Sequence, residues 1–135
     1  KAAELLSLIN INIEVIDLRS IKPLDTETLL KSIKKTKRLI VVDHAESTCG
    51  ISAEIIALAV ENYGKSLLSN PKRICLPPHP VPTSHVLAAD YYPTANTIIE
   101  VILSVFNKPL DSLPTLGELD LVTKDQPNHE FVGPF

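Results

Sequence analysis

Residues Arg38–Ile55 read RLIVVDHAESTCGISAEI. Leu39–Val42 is an unbroken aliphatic, mostly β-branched run, the pattern of a strand buried on both faces of a parallel sheet. It gives way to Asp43-His44-Ala45-Glu46-Ser47-Thr48-Cys49-Gly50, which reads as a polar loop. Apolar residues then return at helical spacing, at Ile51, Ile55, Leu58 and Ala59. A strand, a loop and a helix in that order form the building unit of an open α/β sheet. Loops beyond the carboxyl ends of such strands are where these folds usually meet ligands and partners.

Toward the N-terminus, Ala2, Leu5, Leu6 and Ile9 form a helical stripe within Lys1–Ile9, without an N-cap residue ahead of it. Asn10-Ile11-Asn12 reads as a turn, and Ile13–Leu18 as a strand that sends Ile13, Val15 and Ile16 into the core. Lys22 precedes Pro23 and is pushed out of helical geometry, so the chain breaks there. Asp25 is a suitable N-cap for a helix over Thr26–Lys35, with Glu27 in its first turn and Leu29, Leu30 and Ile33 as its stripe. Lys31, Lys34, Lys35 and Lys37 are read as a cationic last turn that suits the helix dipole, in preference to a polyanion site.

Toward the C-terminus, Tyr63-Gly64 ends the central helix and Lys72–Leu76 reads as a short strand. Pro77-Pro78-His79-Pro80-Val81-Pro82 favours a stiff extended path, because proline lacks the N–H that a helix or a central strand needs. A short helical turn is expected over Val86–Ala89, and Asp90-Tyr91-Tyr92-Pro93 makes a rigid corner. Thr94 caps the last helix, whose stripe is Ala95, Ile98, Ile99, Ile102, Val105 and Phe106. From Lys108 to Phe135 no periodicity persists, so this stretch is expected to be an irregular tail, separate from a domain over residues 1–107.

With 135 residues the chain is one domain by prior, long enough to bury a core. Thirteen basic and 16 acidic residues leave a net charge of −3, and no basic run is interleaved with aromatics, which argues against nucleic acid as a partner. No apolar run approaches the ~20 residues of a membrane helix. Cys49 and Cys75 do not make a disulfide framework, and the expected setting is a reducing cytoplasm. The opening Lys1, in place of Met, suggests a piece of a longer chain.

Few motifs offer chemistry. There is no Gly-x-Gly-x-x-Gly or Walker loop, so no phosphate cradle is expected. His44-Ala45-Glu46 matches half of a zinc deaminase signature, but the Pro-Cys-x-x-Cys half is absent. His44 and Cys49 lack metal-ligand spacing. Asp43 or Glu46 beside His44 offers acid–base chemistry in principle, yet a solvated interface loop is the simpler reading. Cys49 before Gly50 reads as a small, half-buried residue, and Tyr91 and Tyr92 as packing against the proline corner or a partner. The residues alone therefore define an α/β sandwich without a self-contained active site.

Three segments carry a resemblance. Glu14–Asp25 (EVIDLRSIKPLD) is similar to a characteristic stretch of transketolase-like C-terminal domains. Leu39–Glu54 resembles that domain's next strand, loop and helix. Pro80-Val81-Pro82-Thr83-Ser84 with Tyr91-Tyr92-Pro93-Thr94 resembles a block of the beta subunits of thiamine-diphosphate-dependent 2-oxo acid dehydrogenases. The resemblance implies a three-layer α/β/α fold with a mixed, mostly parallel sheet of about five strands, one of which would precede Lys1.

It also implies a division of labour. In the parent enzyme, thiamine diphosphate and Mg2+ sit in other domains, the 2-oxo acid is decarboxylated, and the acyl group passes to a lipoyl arm. The C-terminal domain builds an interface with a second beta subunit and offers a docking surface for the lipoyl acyltransferase core, beside an alpha subunit or a fused alpha region. No catalytic, cofactor or metal residue is thereby assigned to this chain, and alone it is expected to be inactive and to bind no cofactor. The interface candidates are His44, Glu46, Ser47 and Cys49, with Pro80, Pro82, Ser84 and Tyr92. The expected compartment is the cytoplasm, or the mitochondrial matrix in a eukaryote.

Asp43-His44, Cys49-Gly50, Ala88-Ala89 and the tail depart from the family pattern, and they leave pyruvate, branched-chain 2-oxo acids and acetoin open as substrates. The alternatives are a non-catalytic binding or regulatory module, and a domain of another transketolase-superfamily enzyme.

Overall fold

The computed structural model describes residues 1–88 and 91–109. In chain order the elements are α1 (Ala2–Ser7), α2 (Thr26–Thr36), β1 (Ile40–Glu46), α3 (Ile51–Tyr63), a 3-10 turn (Gly64–Ser66), β2 (Lys72–Leu76), α4 (His85–Ala88) and α5 (Ala95–Val105). The expected tail lies, from residue 110 onward, outside the described residues.

β1 and β2 run parallel, with Ile40 opposite Lys72, Val41 opposite Arg73 and Val42 opposite Ile74. Successive strand residues point to opposite faces. Accordingly, Ile40 packs against the cluster of Leu6, Ile11, Ile99, Ile102 and Leu103, while Val41 joins Leu29 and Ile55 in a second cluster. Thus α1 and α5 cover one face of the strand pair, and α2 and α3 cover the other. The chain is an α/β fold with helices on both sides of a parallel pair. Leu6, Ile55, Ile99 and Leu103 are essentially inaccessible to water, and each such burial stabilises by about 1.5–3 kcal/mol.

Local chemistry sets the helix ends. Asp25 accepts from the Thr28 N–H at 3.0 Å and from the Thr28 hydroxyl at 2.7 Å, fixing the start of α2. That bonding holds the Asp25 carboxyl below its usual pKa. Lys37, in the left-handed region at φ 56°, closes the helix by donating its N–H to the Ile33 carbonyl at 2.8 Å. Thr94 and Thr97 form a reciprocal cap at the start of α5, where the Thr97 N–H donates to the Thr94 hydroxyl at 3.3 Å.

Two expectations are corrected. The strand does not stop at Val42: Asp43-His44-Ala45-Glu46, read as loop, belongs to β1. Pairing resumes at Glu46 opposite Leu76, so four steps on β1 span two on β2, which is a bulge. A polar strand end held by a neighbouring strand looks like loop in sequence, because pairing leaves no periodic trace there.

Ile13–Leu18, read as a strand, has no strand assignment. Its side chains still divide between the two cores, Ile13 toward one and Ile16 and Leu18 toward the other, while Val15 is 74% exposed. A strand exists only where a neighbour takes its ladder hydrogen bonds, and no described strand lies alongside it. Glu14 instead fixes this segment to α2 by a 2.7 Å contact with Lys35, which lowers the Glu14 pKa.

Candidate functional site

The bulge positions the carboxyl end of β1. Asp43 accepts from the Ala45 N–H at 3.0 Å and reaches across the turn to the Ser52 N–H at 3.3 Å. α3 begins after Gly50, which has no side chain with which to cap it. Asp43 therefore caps the helix from the strand, with one oxygen on each N–H. Asp43 thus has a structural role in joining β1 to the start of α3.

The turn between them is tightly built. Cys49 adopts the left-handed region at φ 59°, and a Cβ on Gly50 would stand 2.7 Å from the Glu46 carbonyl oxygen and 3.1 Å from Asp43 Oδ2. Arg73 on β2 donates from Nη1 to the Ser47 carbonyl at 2.7 Å. Beneath the turn, the buried Ser52 hydroxyl lies 3.5 Å from Cys75 Sγ, which joins α3 to β2. An open groove of about 620 Å³ runs beside the turn, between Ile21 and the first residues of α3, with Asp43, Cys49 and Glu54 in its wall.

The proline segment reaches the same place through a chain of rings. Tyr91 is buried, and its hydroxyl donates to the His79 carbonyl at 2.8 Å. Its ring meets His79 edge-on at 5.4 Å and Tyr92 edge-on at 5.1 Å. Tyr92 in turn meets His44 at 6.3 Å and 61°. His79 Nδ1 lies 3.0 Å from the Pro80 carbonyl.

The sequence candidates fall out as follows. His44 and Glu46 stand exposed on β1, and Ser47 and Cys49 stand exposed in the bend after it. Pro80 and Ser84 are exposed and Pro82 is half-buried, while Tyr92 is 40% exposed. The structure joins the two stretches through His44 and Tyr92. Ser84 contributes a carbonyl to the start of α4, accepting from the Ala88 N–H at 2.9 Å. Val86 and Leu87 on that helix are 80% and 69% exposed, leaving apolar surface close in sequence to the same segment. Sequence reasoning missed Arg73, His79 and the capping role of Asp43. Only the tyrosine pair carried a signal, as two adjacent aromatics beside a proline.

The N-terminus of a helix favours anions, but here the Asp43 carboxylate already accepts from the Ser52 N–H and Glu54 stands in the first turn. A diphosphate would meet like charge at that position. The start of α3 is therefore a poor place for a diphosphate.

A strand-end turn on a parallel pair, with helices on both faces, places the molecule among the α/β domains that present surfaces at the carboxyl ends of their strands. The chain belongs to the family described as transketolase, C-terminal domain, which matches residues 1–98. It is 44% identical over 110 residues to the acetoin:2,6-dichlorophenolindophenol oxidoreductase subunit beta of Bacillus subtilis, covering 81% of this chain and 32% of that protein. The corresponding subunit of Cupriavidus necator is 38% identical over 98 residues, covering 73% of this chain and 29% of that one. The mitochondrial pyruvate dehydrogenase E1 component subunit beta of Saccharomyces cerevisiae is 36% identical over 109 residues, covering 79% of this chain and 30% of the yeast protein. The chain thus spans about a third of the length of these relatives. The expected family is borne out. No described helix is long and apolar enough to cross a membrane.

Proposed function

We propose that this chain is the C-terminal assembly and docking domain of a beta subunit whose parent is the decarboxylating component of a 2-oxo acid dehydrogenase, or the corresponding component of an acetoin dehydrogenase, which cleaves its substrate without decarboxylation. The observation that carries the reading is the likeness to named beta subunits over as much as 81% of the chain. Its strand-end turn, whose Ser47 and Cys49 stand exposed, suits the same reading. In the parent, thiamine diphosphate and Mg2+ are held by other domains, and the partners are a second beta subunit, an alpha subunit or fused alpha region, and the lipoyl acyltransferase core. The compartment is the cytoplasm or the mitochondrial matrix.

His44, Glu46, Ser47 and Cys49, together with Pro80, Pro82, Ser84 and Tyr92, form the face toward the second subunit. Exposure of seven of the eight, and the His44–Tyr92 contact that joins the two groups, support this assignment. The domain spans residues 1–107. Its complete sheet is a mixed one of about five strands within three layers.

The reading is tested on the full-length protein with its alpha partner. Reduction of dichlorophenolindophenol is followed with acetoin, pyruvate and branched-chain 2-oxo acids, with and without thiamine diphosphate. Cofactor-dependent reduction with one of these substrates is expected, and the best one names the complex. No reduction with any of them would contradict the dehydrogenase reading.

A further inference from the structure

The two stretches of the proposed face are far apart in sequence, and the proline segment has little of its own to hold it. Pro77, Pro78, Pro80 and Pro82 lack an N–H, and the backbone bond within the segment is His79 N–H to the Pro77 carbonyl at 2.9 Å. Exposed extended chain with so few donors does not fix its own position. Tyr91 lies beneath it, 7% exposed, and makes three contacts that run in different directions. Its hydroxyl holds the His79 carbonyl, its ring edge meets the His79 imidazole, and the same ring meets Tyr92, which meets His44 on β1.

We propose that Tyr91 is the positioning residue of the interface: it seats the proline segment and orients Tyr92 against His44, so that two separate stretches present one face. This rests on the interface reading above and adds to it the residue that assembles the face. Tyr91 itself is buried and is not offered to the partner. Its two functions are separable, because phenylalanine keeps the ring edges and loses only the hydroxyl's bond, whereas alanine loses both.

The test uses the full-length protein with its partner subunits, carrying Tyr91→Phe, Tyr91→Ala or Tyr92→Ala. Subunit association is measured by sedimentation, and the His44 and His79 imidazole resonances are followed by NMR. Tyr91→Phe is expected to weaken association about fivefold and to shift His79 while leaving His44 near its place. Tyr91→Ala is expected to weaken association further and to shift His44 as well, although Tyr91 and His44 are joined only through Tyr92.

Weakened association in Tyr92→Ala, with both Tyr91 variants associating as wild type, overturns the positioning role and leaves the interface reading standing. Unchanged association in Tyr92→Ala defeats the interface reading. The ring ladder is then judged by the imidazole shifts alone: a His44 resonance unmoved in Tyr91→Ala overturns it, and a shifted one upholds it. If Tyr91→Ala does not fold, Tyr91→Phe decides through the same pair of readings, an unmoved His79 with unchanged association being the overturning result.

Discussion

The turn from Glu46 to Ser52 and the segment from Pro77 to Pro82 both follow the carboxyl ends of the paired strands, but different forces hold them. The turn is fixed by polar bonds to neighbouring elements, Asp43 on the Ser52 N–H and Arg73 on the Ser47 carbonyl, and it leaves no room for a side chain at Gly50. The proline segment, poor in N–H groups, is placed by aromatic edges and one tyrosine hydroxyl. Hydrogen-bonded turns depend on the local shape of the backbone, whereas ring ladders depend on side chains brought from a distance. Changes in the turn should therefore be felt first as lost stability. Changes in the ladder should be felt first as lost assembly.

The largest stability effect is expected at Gly50. An alanine methyl there would press on a backbone oxygen at 2.7 Å, a contact that no rotamer change relieves. Gly50→Ala should cost about 2–3 kcal/mol in urea unfolding of the full-length protein. A loss below a few tenths would show that the turn yields freely. Asp43→Ala comes next, removing the bonds to the Ala45 and Ser52 N–H groups, and is expected to cost about 1–2 kcal/mol. Neither value should be matched by Tyr92→Ala, whose half-exposed ring is expected to change stability by less than about 0.5 kcal/mol.

The smallest effect concerns acid. The Asp25 and Glu14 carboxyls have lowered folded pKa values, through the Thr28 bonds and through Lys35 respectively. Below those ordinary carboxyl values the unfolded chain binds protons more readily than the folded one. The stability they contribute is therefore fully present at neutral pH and is lost as pH falls through the depressed folded values, below about pH 4. Melting temperature followed from pH 7 to pH 3 should fall less steeply at its acid end in the Glu14→Gln, Asp25→Asn double variant. An identical acid slope would remove these two groups from the account.

Much of this was legible in the sequence because it depends on neighbours along the chain. The Asp25 and Thr94 caps and the helical stripes are local, and each stands where the residues placed it. Ile13–Leu18 shows the limit. Its apolar residues serve both cores as a strand's would, but strand structure is a property of a pair, and the sequence does not reveal which partner is present. The continuation of β1 into Asp43–Glu46 was hidden for the related reason that a bulged, polar strand end has no period.

At the candidate site, the residue types were readable and their meeting was not. His44 and Tyr92 were both singled out, but only the tertiary fold brings the rings to 6.3 Å. Arg73 gave no warning, since a basic residue in a strand is ordinarily solvated and its bond to the Ser47 carbonyl crosses between loop and strand.

The most direct test of the central claim measures assembly and turnover together. Full-length protein carrying Tyr92→Ala or Ser84→Arg is mixed with its partner subunits, and activity is normalised to the fraction assembled. The account expects association weakened by about tenfold with turnover per assembled site unchanged. An intact oligomer with lost turnover would contradict it, and would move the strand-end face from assembly to chemistry.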